Sequence, residues 1–196
     1  MKKLNFLSIA FVFALLIGCN SGREVTRIDP NSQTDISGRW NDTDSRQVAD
    51  EMTSDVLSRP WLARFSEAHD GKIPVVIIGD IANKTHEHIS SETFIKDIER
   101  SFINSGKVRV VENSALREKI REEQQSQQGN STEESTKAMA TELGADYIMF
   151  GSINSTVDEY KKEKTVSYKT NLELVDLQTT EKVWIGDKEI KKYIKN

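Results

Sequence analysis

The chain has 196 residues, of which 36% are hydrophobic and 30% are charged, with 27 basic against 31 acidic side chains. This composition is typical of one globular domain with appendages, and the net charge of −4 argues against general binding of nucleic acid or anionic lipid. The single cysteine, Cys19, excludes an intramolecular disulfide, so a packed core must stabilise the fold.

Residues 1–18 are typical of a bacterial lipoprotein signal peptide. Two lysines precede an apolar run over 4–17, which is shorter than the roughly 20 residues of a membrane-spanning helix. The run ends in LIGC, which resembles the lipobox, where the cysteine thiol receives a diacylglycerol. We therefore expect cleavage before Cys19, a lipid on Cys19 and a polar tether over 19–36. Loss of the two lysines leaves 25 basic against 31 acidic residues, a net charge of −6.

A globular domain is predicted over 37–196, and a helix opens it. Thr43 or Asp44 can cap this helix, and Val48, Met52 and Val56 lie four residues apart, on one helical face. The proline of SRPWL interrupts it, because the residue before a proline is disfavoured in a helix.

The stretch IPVVIIGDI over 73–81 predicts a central strand, since it is apolar on both faces. After the loop ANKTHEHIS comes a second long helix, which Ser90 or Ser91 can cap and Gly106 can end. VRVV over 108–111 predicts a second short strand. The apolar stripe of the helix comprises Phe94, Ile95, Ile98, Phe102 and Ile103.

Two further helices are predicted before the third strand. Leu116 and Ile120 mark the first of them, and a polar loop follows over 124–131. The pair Ser131 and Glu134 has the spacing of a capping box and begins the second.

Three strands complete the domain. DYIMFGSI over 146–153 is a buried strand, and NSTVDEY after it is interpreted as a loop. TVSYKTNLELVD alternates apolar and polar residues, which predicts a half-buried strand, and KVWIGDKEI predicts the strand that returns beside it. The fold class is therefore α/β: a single domain with a mixed five-stranded sheet flanked by helices, parallel in its first three strands and antiparallel in its last three.

No catalytic motif emerges. Gly79 and Gly151 are interpreted as glycines at strand ends, not as parts of a nucleophile elbow. The segment His86-Glu87-His88 has zinc-binding side chains, but His69 is the one histidine left to complete a site, so we interpret the segment as a solvated loop. We predict no catalytic residue, no cofactor and no metal.

A candidate partner-binding surface follows from the predicted sheet. If the strands over 75–81 and 146–153 are parallel neighbours, the loops ANKTHEH and NSTVDEY share one sheet edge. A plain connecting loop is the alternative at this edge. The candidate residues of the surface are Asn83, Lys84, Thr85, His86 and Phe150.

Arg39 and Trp40 form a second candidate, because an exposed Trp beside an Arg is typical of interface hot spots. The favoured alternative packs Trp40 against the first helix and leaves Arg39 in solvent.

Five segments resemble the LpoB family of penicillin-binding protein activator lipoproteins, from about Asp35 to the C-terminus. This resemblance implies an outer-membrane lipoprotein facing the periplasm, with a domain similar to the TolB N-terminal and CsgG-type folds and no catalysis of its own. It implies that the domain docks on a class A penicillin-binding protein and stimulates peptidoglycan synthesis allosterically. The segments are SGRWNDTDSR, SRPWL, NKTHEHI, FIKDIERSFINSGKVR and EKVWIGDKEIKK.

The tether departs from the enterobacterial members, which carry a long proline-rich linker. About 17 residues separate Cys19 from the domain, which span at most roughly 60 Å when extended. Asn20 is not the aspartate that retains lipoproteins in the inner membrane of enterobacteria, which favours the outer membrane. Two other functions remain open: a CsgG-like structural or assembly lipoprotein of the envelope, and an enzyme acting on envelope glycan.

Overall fold

The computed structural model describes residues 24–30, 32–112 and 133–195, and these contain four helices and one five-stranded sheet, all within a compact unit that begins at Gln33. The helices are α1 (Asp42–Leu57), α2 (Trp61–Ala68), α3 (Ser91–Ser105) and α4 (Glu133–Glu142). The strands are β1 (Val75–Asn83), β2 (Arg109–Val110), β3 (Tyr147–Tyr160), β4 (Glu163–Asp176) and β5 (Lys182–Lys195).

The sheet has the order β2-β1-β3-β4-β5. β1 pairs in parallel with both β2 and β3, while β3, β4 and β5 form an antiparallel meander. The predicted mixed five-stranded sheet is therefore confirmed. β3 joins its two halves, because one of its edges runs parallel to β1 and the other antiparallel to β4.

Two predictions about β3 and β1 are wrong. NSTVDEY is not a loop but the outer half of β3, which pairs with β4 residue by residue as far as Tyr160 and Glu163. Gly79 and Gly151 do not end their strands but lie within them. The outer half of β3 is mostly exposed, so pairing with β4 stabilises it where burial does not.

The start of α1 also differs from the prediction. Asn41, not Thr43 or Asp44, is the N-cap, and its backbone is extended with φ −135°. The Asn41 Oδ1 accepts hydrogen bonds from the backbone N–H groups of Thr43 (2.9 Å) and Asp44 (3.2 Å). The Asp44 carboxylate in turn accepts from the Asn41 N–H at 2.9 Å, which completes a capping box.

Other predicted helix boundaries are confirmed. α1 ends just before the Ser58-Arg59-Pro60 segment and α2 begins just after it. Ser90 caps α3 by accepting from the Thr93 N–H, and Gly106 ends it in the left-handed conformation with φ 65°.

The core lies on both faces of the sheet. The larger apolar cluster fills the space between the sheet and α1, α2 and α3, and the predicted face of Val48, Met52 and Val56 belongs to it. The smaller cluster lies between the sheet and α4. Ile103 of the predicted apolar stripe of α3 is 59% exposed, so it lies outside the core.

Some predictions concern parts of the chain outside the described residues. They are the signal peptide and Cys19, the helix marked by Leu116 and Ile120, the loop over 124–131 and the cap at Ser131.

Candidate functional site

The segment Asn83–His88 turns sharply at the C-terminal end of β1. The Asn83 Oδ1 accepts from the backbone N–H of Thr85 at 3.0 Å, and its Nδ2 donates to the Glu87 carbonyl at 2.8 Å. The Lys84 N–H donates to the Ile153 carbonyl of β3 at 2.8 Å. Each of these bonds restrains the backbone, so the segment holds a defined shape. It leaves three cationic or titratable side chains exposed: Lys84, His86 and His88.

Glu87 points inward from this segment. Its Oε1 accepts from the Tyr168 hydroxyl at 2.7 Å, and its Oε2 accepts from the Trp40 N–H at 3.1 Å. Tyr168 is fully buried and its ring meets that of Trp40 edge-on, with centroids 5.6 Å apart. Burial, and then the bond to the Glu87 carboxylate, raise the pKa of Tyr168. The segment is thereby fixed to β4 and to the residues before α1.

The residues 35–41 before α1 form a strap, which a buried lysine holds in place. The Lys192 Nζ donates to the carboxylates of Asp35 and Asp44, both at 2.6 Å, and to the Arg39 carbonyl at 2.9 Å. Only 8% of Lys192 and 4% of Asp44 is exposed. The strap is thus tied to β5 and α1 by an Asp–Lys–Asp ion triad.

The pKa shifts of Lys192 and Asp35 agree with their pairing in the triad. Burial acts to lower the pKa of Lys192, but the two carboxylates outweigh burial and raise it. The bond from Lys192 lowers the pKa of Asp35. Lys192 and Asp35 therefore stay charged around neutral pH.

Arg39 and Trp40, the second candidate pair, differ in their surroundings although both belong to the strap. Trp40 packs partly buried against the main core, and its Nε1 donates to the Ser45 Oγ at 2.8 Å. Arg39 is exposed. This placement agrees with the packing alternative for Trp40. Because Trp40 also bonds Glu87, Arg39 and the segment Asn83–His88 share one part of the surface.

Phe150 lies apart from the other candidate residues. It is half-buried against the smaller core cluster, on the sheet face that α4 covers, whereas Trp40 packs on the other face. Its ring stacks over the backbone of Gly79. The predicted surface therefore separates into one site at the end of β1 and an isolated Phe150.

The histidines next to Glu87 do not gather into a metal site in the described part of the chain, where no group of three potential metal ligands occurs. The one carboxylate in that motif is occupied by Tyr168 and Trp40.

An open groove of about 480 Å³ lies at the opposite end of β1, between α1, α2 and the strand's start. Its lining includes apolar side chains and the cations Arg59, Lys72 and Lys107, and contains no carboxylate. It therefore has no acid/base pair for glycoside hydrolysis. None of the helices in the described residues is long and apolar enough to cross a bilayer.

Comparison with known families decides the class of the protein. The family model described as "Peptidoglycan-synthase activator LpoB" matches residues 44–190, from α1 into β5. The chain belongs to the LpoB family. The resemblance noted in the sequence is confirmed, and activation of a peptidoglycan synthase is the activity that describes this family.

One solved structure supports the fold at a TM-score above 0.5. The LpoB C-terminal domain from Salmonella enterica is 18% identical, with a TM-score of 0.51 over 75% of this chain and 98% of that one. The LpoB C-terminal domain from Escherichia coli is 19% identical, with a TM-score of 0.49 over the same shares. The comparison with curated proteins found no match.

Sequence reasoning missed the residues that brace the site in this LpoB-family chain. Tyr168 lies in a strand that the sequence predicts, but its bond to Glu87 spans 81 positions. Lys192 lies beyond the predicted end of β5 and contacts Asp44 across 148 positions. One signal was available: continued alternation along β5 places Lys192 on the same face as the buried Trp184.

Proposed function

We propose that this LpoB-family chain activates a class A penicillin-binding protein by docking on it, without turnover of its own. The family match over residues 44–190 carries the proposal, because it spans the folded domain and describes a peptidoglycan-synthase activator. Activation then requires that the domain bind the active conformation of the synthase more tightly than the resting one.

The surface proposed for docking is the segment Asn83–His88 together with Arg39. Its exposed cations, Arg39 and Lys84, stand on a chain whose net charge is negative. Because Glu87 and the strap hold the backbone, docking costs little ordering entropy. We infer that the partner presents a complementary acidic patch, since rim charges of opposite sign raise the rate of association.

Glycan polymerisation by the cognate synthase tests this surface. The full chain should accelerate polymerisation, and Lys84→Glu should reduce the acceleration at least tenfold at subsaturating concentration. Lys72→Glu makes the same charge change on an exposed lysine at the other end of β1, so it is the matched control and should activate normally. Equal activation by the two variants would exclude this surface as the docking site. Absence of any effect of the parent chain would exclude the proposed function itself.

We further propose that a lipid on Cys19 anchors the chain in the outer membrane, facing the periplasm. The lipobox and Asn20 support this location. Labelled palmitate should enter the parent chain and fail to enter Cys19→Ala, which should leave the membrane fraction. Palmitate in the Cys19→Ala chain, or sedimentation of the parent chain with the inner membrane, would contradict the anchor or its location.

A further inference from the structure

The free edge of the sheet carries a self-complementary pattern. β5 is the last strand in the sheet order, and among the described residues β4 is its only strand partner. Its other edge therefore presents backbone N–H and C=O groups outside any ladder there. Such an edge is a template for pairing with another strand.

One face of β5 is exposed from Ile185 to Lys195, at every odd-numbered position in that range. Ile185 and Tyr193 are 63% and 62% exposed, and both belong to this face. Asp187 and Lys191 lie between them, and Glu189 is at the centre. On one side of Glu189 lie the acidic Asp187 and then the apolar Ile185. On the other side lie the basic Lys191 and then the apolar Tyr193.

This arrangement fits a second copy of β5 in antiparallel orientation. If the two-fold axis passes beside Glu189, Ile185 of each copy lies opposite Tyr193 of the other, and Asp187 lies opposite Lys191. Apolar pairs and pairs of opposite charge stabilise neighbouring strands when their members face each other directly. Both complementary pairs then occur twice, as an isologous interface requires.

The two faces of β5 differ in what their own chain places against them. On the exposed face Asp187 pairs with Lys169 and Glu189 accepts from Ser167, both on the neighbouring strand β4, whereas the opposite face is held by α1. Lys188 pairs with Glu51 of α1, and Lys192 pairs with Asp44. The one unfavourable pair in the register is Glu189 against its own copy, since like charges directly opposite each other destabilise a sheet.

We propose that two copies of this chain associate through their β5 edges, in the register centred on Glu189, to form one continuous ten-stranded sheet. The proposal is independent of synthase activation, and its tests use no synthase.

Exchanging the charges at positions 187 and 191 tests the interface. Sedimentation of the purified full chain in detergent measures its dimerisation. The parent should show a monomer–dimer equilibrium. Lys191→Asp should weaken dimerisation at least tenfold, because it faces Asp187 of the other copy, and the double variant Asp187→Lys/Lys191→Asp should restore it. Glu189→Gln should tighten dimerisation, because it removes the like-charge pair. A parent that stays monomeric, or a double variant no better than the single one, would overturn the proposal.

Cross-linking tests the register in cell envelopes with a short thiol-specific bifunctional reagent. Glu189→Cys should cross-link to its own copy, because directly opposite Cβ atoms lie about 4.5–5.5 Å apart. Ile185→Cys should not, because the two copies of that position are offset by about 27 Å. The parent chain controls for Cys19. Equal cross-linking of both variants would refute the register, and capture of a different protein at position 189 would refute the second copy as the occupant.

Discussion

At the scale of single residues, Lys192 has the most concentrated role. It neutralises a buried carboxylate, Asp44, which also completes the capping box of α1, and it holds the strap through Asp35. A charge buried without its partner is costly, because protein atoms replace the water that solvated it. Three separate parts of the chain thus depend on one ammonium group.

We expect Lys192→Met to lower the free energy of unfolding by about 3–5 kcal/mol, the usual loss when one partner of a buried ion pair is removed. Urea denaturation measures it. Lys195→Met is the matched control, since Lys195 is exposed and 4.0 Å from Glu163, and should lose at most about 1 kcal/mol. Adding Asp44→Asn to Lys192→Met should recover part of the loss, because the amide oxygen still accepts from Asn41. Equal losses in Lys192→Met and Lys195→Met would contradict the role of the triad.

At the scale of elements, two glycines inside strands mark close approach of neighbouring chain segments. A Cβ added to Gly151 would lie 2.6 Å from the Asn171 carbonyl oxygen and 2.3 Å from the Leu172 side chain. A Cβ on Gly79 would lie 3.0 Å from the Phe150 ring. β1 also changes register between Ile78 and Ile81, around Gly79. A glycine within a strand is typical of such bulges and close contacts.

We expect Gly151→Ala to destabilise the fold by about 1–3 kcal/mol, the range for overpacking a core. Gly79→Ala should cost less, because the Phe150 ring can shift and the nearest backbone oxygen, that of Met149, lies 3.1 Å from the added Cβ, whereas at Gly151 the Asn171 oxygen lies 2.6 Å away. Thermal unfolding of both variants measures the difference. The expectation fails if Gly79→Ala proves the more damaging, or if both variants unfold like the parent.

How far the sequence predicted these elements depended on burial. The apolar runs of β1 and β3 and the alternation in β4 identified the sheet and its topology, because burial imposes those patterns. The outer half of β3 was missed, because antiparallel pairing with β4 stabilises exposed polar residues that carry no such pattern. Residues 191–195 of β5 were missed although the alternation continues through them. Sequence reasoning found only part of the site. The exposed segment Asn83–His88 is continuous in sequence and could be recognised, whereas Tyr168 and Lys192, which hold the site in place, are far from their partners in the sequence.

At the scale of the whole molecule, buried titratable groups define the pH range of stability. Burial raises the pKa of Tyr147 to about 12 and is the main cause of the raised pKa of Tyr168, while the carboxylates raise that of Lys192. In the unfolded chain these groups lose their protons near pH 10. Above that pH the unfolded chain binds fewer protons than the folded one, so the free energy of unfolding falls as pH rises.

Carboxylates set the acidic limit of stability, because their pKa values are lowered in the folded chain instead of raised. The pKa of Asp35, and likewise that of Asp55, is lowered by its bond to a cation. Below about pH 4 the unfolded chain takes up protons before the folded one does, so stability falls with falling pH. The domain should therefore hold its full stability between about pH 5 and pH 9.

Tyr168→Phe separates the alkaline contribution from packing, because it keeps the ring and removes the hydroxyl. We expect a loss of about 1.5–3 kcal/mol at pH 7, the value of a hydrogen bond to a charged acceptor, and a shallower decline of stability between pH 10 and pH 11.5. Tyr147→Phe is the matched control, since no carboxylate accepts from its hydroxyl among the described contacts, and it should flatten the alkaline decline with little loss at pH 7. Urea denaturation across this range measures both effects, and a Tyr168→Phe chain as stable as the parent at pH 7 would show that Glu87 does not depend on Tyr168 to hold the segment Asn83–His88.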